Sequence, residues 1–493
     1  MPRTKSLPVN VAANLINQGS AVLFPLLTFP YVSRVLRPEG LGRVSFAEGL
    51  VQYFSLLATL GIPVYGVRES ARCRDDKKAL STLAAELFFL NVLTTGIAAL
   101  AFSVFMVLSA KARSDPVLFW ICAFPTLLMP LGFNWLLGGL EEYVYITVRT
   151  LGLRICVVVG IFLFIRTQAD FRTYALMMAL NTAGVSLLNM LFVCRHISVR
   201  SVDWGRLNVW RHIKPVLLVF SLGSVVSIYT SFDKVMLGYL TNDTAVGLYS
   251  VADRVVKVVV TLVTSMGAVL LPRASYYIQA QKLGEYRRLT STTLRLILFV
   301  SFPVALGLIV LAGPLVLLLS GRAFEPAAPL VQIMGLNVVM IALSNFAGYQ
   351  ILYPQGKEKL LLYSAVFGVL CNLGLNWFLI PRWHATGAAF SILVTETCVT
   401  GVRIAFARGY ANFPWPIWSM LKYAVTALAM VVVVLPLRSF LAGTIFLLPL
   451  SIGAGAAFYV VVLWLSKDSM LFALGSRLRA GAIAVTQAAG AGT

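Results

Sequence analysis

TLAAELFFLNVLTTGIAALAFSVFMVLS, residues 82–109, is an apolar run with no polar alternation along it. A helix needs about 20 apolar residues to cross 30 Å of hydrocarbon. Runs of this kind fall at 10–33, 44–66, 82–109, 117–140, 150–166, 174–194, 215–238, 248–272, 292–319, 329–353, 360–380, 387–407, 420–437 and 443–465. A membrane barrel would instead show alternating segments of about ten residues. The pattern therefore predicts an all-α integral membrane protein of about 14 transmembrane helices. Pro125 and Pro130 interrupt the fourth window; proline is tolerated there when neighbouring groups satisfy the freed carbonyls.

Composition agrees. Of 493 residues, 59% are hydrophobic and only 12% charged, with mean hydropathy +0.85; soluble domains are about a quarter charged. The net charge of +21 would suggest nucleic acid in a soluble chain. Here it follows the rule that cytoplasmic loops of membrane proteins collect Lys and Arg, so no nucleic-acid partner is expected. With the N-terminus inside, the inner segments hold about 23 of the basic residues, among them Arg3, Lys5, Arg68, Arg72, Arg211, Arg477 and Arg479, against about 10 outside. Both termini are thus expected to be cytoplasmic, and the first apolar stretch reads as a retained helix rather than a signal peptide.

Connecting loops reach roughly 20 residues at most, leaving no room for a soluble catalytic domain or for the large periplasmic loop of a glycan polymerase or ligase. Walker A and metal-ligand spacings are absent, His196, His212 and His384 are scattered, and the six cysteines form no CxxC pair. A non-enzymatic transporter without cofactor or metal is expected.

A faint repeat runs through the chain. Phe29-Pro30-Tyr31-Val32, Ser45-Phe46-Ala47-Glu48 and Pro63 are echoed by Phe232-Asp233-Lys234-Val235, Ser250-Val251-Ala252-Asp253 and Pro272, at offsets of 203–209. Six helices separate the copies, which predicts two six-helix lobes related by an axis along the membrane normal. The expected division is an N-lobe at 1–200, a C-lobe at 201–410, two further helices at 411–466 and a cytoplasmic tail at 467–493.

Ionisable groups at bilayer depth are costly and point to cavities or partners. The eighth helix carries Asp253, Arg254 and Lys257, the first and last at i,i+4 on one face. Asp233 and Lys234 lie on the seventh helix, Glu48 on the second, Glu396 and Arg403 on the twelfth, Arg149 and Arg154 on the fifth. Arg254, Lys257, Lys234, Arg149 and Arg154 are candidates for a cationic binding face, since the guanidinium fork suits phosphate. Glu396, Asp233, Asp253 and Glu48 are candidates for coupling to an ion gradient, because a carboxylate in low dielectric holds a proton more readily. Structural ion pairs are the competing reading for Asp253–Lys257 and Glu396–Arg403.

The stretch LFPLLTFPYVSRVLRPEGLGRVSFAEGLVQYFSLLATLGIPVYGVRESARCRDDK (23–77) resembles the start of bacterial Wzx-type polysaccharide (O-antigen) flippases of the multidrug/oligosaccharidyl-lipid/polysaccharide (MOP) exporter superfamily. SFDKVMLGYLTNDTAVGLYSVADRV (231–255), PQGKEK (354–359) and GAAFSILVTE (387–396) extend the likeness over most of the chain. The resemblance implies two lobes around a central cavity and alternating access. It implies an undecaprenyl-diphosphate-linked oligosaccharide as substrate, moved from the cytoplasmic to the periplasmic leaflet of the bacterial inner membrane with proton or sodium antiport. It places Arg254 in the family's basic cavity, and it implies polysaccharide polymerase and chain-length proteins as further partners beside membrane lipid. Two alternatives share the superfold: a lipid II-type peptidoglycan precursor flippase, and a multidrug cation antiporter whose cavity would be net acidic.

Overall fold

The computed structural model describes residues 7–268, 270–411, 415–441, 444 and 446–472. Arg3, Lys5, Arg477 and Arg479, used above to orient the chain, lie outside the described residues, as does most of the 467–493 tail. Among the described residues the regular structure is helical throughout. In chain order come α1 (Leu7–Thr59), α2 (Ile62–Arg72), α3 (Lys77–Leu108), the short α4 (Ala110–Ser114), α5 (Pro116–Leu127), α6 (Asn134–Gly139), α7 (Tyr143–Phe164), α8 (Phe171–Val193) and α9 (Ile213–Leu240). Then follow α10 (Asp243–Ala268), α11 (Leu271–Gln279), α12 (Leu283–Val310), α13 (Ala312–Ser320), α14 (Ala328–Gly335), α15 (Asn337–Asn345), α16 (Glu358–Ala411), α17 (Ile417–Phe440) and α18 (Leu447–Leu465).

Among the described residues the apolar windows lie on helix apart from the break in the fourth, and the chain is a multi-pass membrane protein. Nine helical runs among the described residues are long and apolar enough to span a bilayer. Two of them, Pro8–Arg72 and Glu358–Tyr410, each carry two of the windows. The reversals inside them are made at single residues: Arg37 (φ 58°, ψ 176°) in α1 and His384 (φ 49°, ψ −129°) in α16. Pro38 follows Arg37 and bars it from the helical region. Its left-handed φ costs a non-glycine residue about 1 kcal/mol.

The chain groups into two compact units, one of Met1–Ser250, Leu319–Phe324 and Asn376–Ala388, the other of Val251–Leu318, Glu325–Leu375 and Ala389–Thr493. Within the first unit α9 packs on α1 and α2.

In the first unit the fourth window breaks as its prolines demand. A 3₁₀ turn at Met129–Leu131 and left-handed Phe133 (φ 41°) separate α5 from α6. Hydrocarbon cannot satisfy the carbonyls freed there. Side-chain amides do so instead: Asn189 on α8 donates to the Gly132 carbonyl, and Asn91 on α3 to Met129 at 3.4 Å.

Also in this unit, the α1 reversal meets the tip of the α9–α10 hairpin. Pro38 and Gly42 have repeat counterparts in Asp243 and Gly247, both at an offset of 205. A Cβ at Gly42 would run into the Asp243 carbonyl, and one at Gly247 into the Pro38 carbonyl. The contact is thus reciprocal, as pseudo-twofold symmetry requires. Asp243 reinforces it through Lys111 at 3.1 Å and Arg43 at 3.5 Å.

In the second unit the last two helices join α12. Tyr459 donates to the Phe299 carbonyl at 2.9 Å, Arg438 donates to the Val310 carbonyl at 3.0 Å, and the buried Tyr423 ring meets Phe299 edge-on at 5.7 Å. Lys422 and Tyr423 both bind Asp468, at 3.1 and 3.2 Å.

Gly42→Val and Gly247→Val should each destabilise the protein by about 1–3 kcal/mol through overpacking, measured as a lowered unfolding midpoint in detergent. The double substitution should cost clearly less than the sum, since one displaced contact relieves both clashes. Additive losses would show that the two glycines do not share one contact.

Candidate functional site

Two of the predicted ionisable residues sit inside polar clusters of the first unit. Asp233, 3% exposed on α9, accepts from the Tyr249 hydroxyl at 2.5 Å and from Asn376 Nδ2 at 2.7 Å. Tyr249 and Asn376 thus tie this carboxylate to α10 and α16. Arg149 on α7 is 8% exposed and donates to Asn134 at 3.3 Å, to Thr150 at 3.1 Å and to Asn189, while its guanidinium stands 5.7 Å from the Tyr145 ring. Asn189 thereby ties Arg149 to the same break in the fourth window that it caps. Arg154, five residues along, is half-buried and donates to the Asn17 carbonyl at 3.1 Å and to Ser20 on α1. Glu48 is exposed and Lys234 half-buried, and Lys234 packs beside Gly49.

Sequence reading passed over a third cluster in this unit. The connector 194–212, between α8 and α9, lies along the first turns of α3. Ser81, Thr82 and Glu86 accept from the backbone N–H groups of Ser198, Asp203 and Asn208 at 3.2, 3.2 and 2.8 Å. Glu86 is fully buried and also binds Arg211 at 2.5 Å and His212 at 2.9 Å. Tyr65 on α2 lies 2.7 Å from the other ring nitrogen of His212. His212, a loop histidine by spacing alone, therefore bridges α2 and α3 at the point where α9 begins.

Cys73, in the basic loop after α2, is not an activated thiol. Burial pushes its pKa above the ordinary range, and Glu69 and Asp76 act in the same direction.

The second unit holds the remaining predicted residues. On α10, Arg254 and Lys257 are exposed, whereas Asp253 is 8% exposed and accepts from Lys257 at 2.9 Å, the i,i+4 pair expected from spacing. Arg254, Lys257, Thr261 and Ser265 are all exposed and fall within about 80° of arc at 100° per residue. Val251, Ala252, Val255, Val256 and Val263 on the opposite side are buried. The exposed side of this helix thus carries a polar stripe with two bases, and Leu262 is exposed beside it. On α16, Arg403 donates to Ser364 and Ser344, both at 2.9 Å, and Glu396 is half-buried two turns earlier. Among the described residues no cluster of His, Cys, Asp and Glu could hold a metal through three such ligands.

Residues 8–278 match a family model described as polysaccharide biosynthesis protein, and residues 219–378 match the MatE family model. The chain is similar to an Escherichia coli (strain K12) protein whose name assigns it provisionally to O-antigen transport. The two are 24% identical over 404 residues, 82% of this chain and 97% of the relative. It is likewise similar to the succinoglycan biosynthesis transport protein ExoT of Rhizobium meliloti (strain 1021), 24% identical over 385 residues, 75% of this chain and 74% of the relative. Among solved structures, the lipid II flippase MurJ in an inward closed conformation superposes with a TM-score of 0.73 at 14% identity, covering 93% of this chain and 99% of that one. An inward-facing multidrug resistance MATE family transporter of the MOP superfamily gives 0.63 at 15% identity, covering 78% and 93%. These structural likenesses identify the fold.

Two predictions follow from the buried clusters. Glu86→Ala leaves the buried His212 ring and the Asn208 N–H without their acceptor, while the exposed Arg211 turns to water, and should cost about 1–3 kcal/mol, read as a lowered unfolding midpoint and loss of protein from the membrane. Cys73 should be alkylated by maleimide more slowly in the folded protein at neutral pH than after denaturation, because a raised pKa leaves less thiolate; equal rates would contradict the burial.

Proposed function

Because the chain belongs to the polysaccharide biosynthesis protein family, within the MOP superfamily, we propose that it moves an undecaprenyl-diphosphate-linked oligosaccharide from the cytoplasmic to the periplasmic leaflet. The observation that carries this reading is the cationic face of α10, where Arg254 and Lys257 stay exposed on a helix of membrane length. A diphosphate headgroup cannot enter hydrocarbon unpaired. Arg254 offers a planar fork and Lys257 a compact ammonium; Asp253 already holds that ammonium at 2.9 Å, so a diphosphate would share it with the carboxylate. A multidrug cation antiporter would need the opposite sign on this face. The names of the curated relatives, concerned with O-antigen and succinoglycan, support a polysaccharide cargo.

Transport is by alternating access, coupled to a proton or sodium gradient. Asp233 is the strongest coupling residue of the four carboxylates. It is buried and accepts from Tyr249 and Asn376, so gain or loss of a cation there would change hydrogen bonds that join α9, α10 and α16. Asp253 is held by Lys257, which makes it the orienting partner of that cation. Arg149 and Arg154 are tied into the first unit's packing by bonds to Asn134, Asn189, Asn17 and Ser20, and that packing rather than the headgroup is the role assigned to them.

The test is flipping of a lipid-diphosphate oligosaccharide in proteoliposomes, followed by headgroup accessibility. Arg254→Ala should slow it at least tenfold while the protein remains folded. Asp233→Asn should remove its response to an imposed proton or sodium gradient. Efflux of small organic cations by the wild type, with no movement of the lipid, would replace this reading with the antiporter.

A further inference from the structure

The second unit contains a cavity of about 390 Å³ that the charged residues do not account for. It lies among α10, the start of α11, α12 and the π-helical turn Phe346–Leu352 that follows α15. A π turn within a helix commonly marks a functional site. Here it brings the buried Gln350 side chain to the end of α10, where Nε2 donates to the Gly267 carbonyl at 2.5 Å and closes one end of the space.

The polar residues of the lining have little to offer a polar ligand. Thr261, Thr264 and Ser265 donate back to the carbonyls of Lys257, Val260 and Leu262 at 2.8, 2.9 and 2.8 Å. Asn345 donates to Ile341 at 3.0 Å. With those hydrogens committed to the helix backbone, most of the surface left to a ligand is methyl groups and carbon, although the exposed Tyr349 side chain also belongs to the lining. Val263, Ile297, Ala342 and Phe346 complete an apolar wall. A sugar would find few donors there; a hydrocarbon chain would find contact on all sides.

The same helix supplies a charge register. Thr261 at the cavity lies four residues from Lys257 and seven from Arg254, about 6 and 10 Å along the axis, on one exposed stripe. We propose that this cavity holds the isoprenoid units next to the diphosphate of a prenyl-diphosphate lipid, with the diphosphate at Lys257 and Arg254. The inference rests on the function proposed above and adds the lipid end of the substrate to it. Fixing the tail beside the phosphates sets the headgroup in register along α10, and it selects a prenyl lipid over a diacyl phospholipid, whose two chains do not fit one narrow cavity.

The experiment uses the full chain in nanodiscs and labelled geranylgeranyl diphosphate, competed with inorganic diphosphate. Wild type should prefer the prenyl compound at least tenfold. Ala342→Phe, which fills the cavity, should cut that preference at least fivefold and leave inorganic diphosphate binding unchanged; partitioning of the probe into lipid is common to both proteins and cancels. Thr264→Phe replaces it if Ala342→Phe does not fold. A preference that survives filling overturns the assignment. So does a filled variant that keeps prenyl binding but binds a water-soluble diphosphate-linked oligosaccharide more weakly, since that outcome makes the cavity a sugar subsite. Failure of wild type to bind either diphosphate compound would instead remove the functional reading on which the inference rests.

Discussion

The whole structure depends on one constraint: a polar group that faces hydrocarbon must bring its own partner. The helices satisfy it for the backbone, and side chains repair each place where a helix is interrupted. Asn189 shows how far one residue can be used in this way. Its amide caps the Gly132 carbonyl at the break between α5 and α6, and its oxygen takes a guanidinium hydrogen of Arg149. The break forced by two prolines and the deepest arginine of the first unit are therefore settled by the same amide. The hydroxyls along α10 follow the same rule at smaller scale, bonding to carbonyls one turn back.

The same constraint explains what was legible in the sequence. Spanning elements were visible because each needs about 20 apolar residues, and among the described residues such windows lie on helix apart from the break in the fourth. Reversals between them were not. A turn at a single left-handed arginine or histidine has no glycine or asparagine to announce it, although Pro38 immediately after Arg37 is a signal that could have been used. The docking of the connector 194–212 was also hidden, since Ser81, Thr82 and Glu86 are recognisable as acceptors only once the loop lies on them. A fully buried glutamate in the first turns of an apolar helix, with Arg211 and His212 near the start of a later one, was the available hint.

At the candidate site, local relations were readable and distant ones were not. The Asp253–Lys257 pair and the shared stripe with Arg254 follow from helical spacing. The partner that defines Asp233 is Asn376, 143 residues away, and no periodicity connects them. The repeat did carry long-range information at one point: Gly42 and Gly247 occupy equivalent places and meet the backbone of each other's hairpin. A duplicated sequence that meets its own copy in this way makes two contacts from one pattern.

The placement of charge then separates two tasks. The chain has 40 Lys and Arg against 19 Asp and Glu. Yet the fully ionisable residues that are buried among the described ones are four acids, Glu86, Asp233, Asp253 and Asp468, and a single base, Arg149. Short carboxylates can be enclosed by neighbouring donors, as Tyr249 and Asn376 enclose Asp233 and as Lys422 and Tyr423 enclose Asp468. Long basic side chains reach out of the packing and keep their charge at an accessible surface. Acids thus fix helices to one another from within. On α10 the buried Asp253 draws Lys257 to itself while Arg254, Thr261 and Ser265 share the exposed stripe, so the buried side is largely valine and polar groups stand outside it, an arrangement that a span facing only hydrocarbon would not favour.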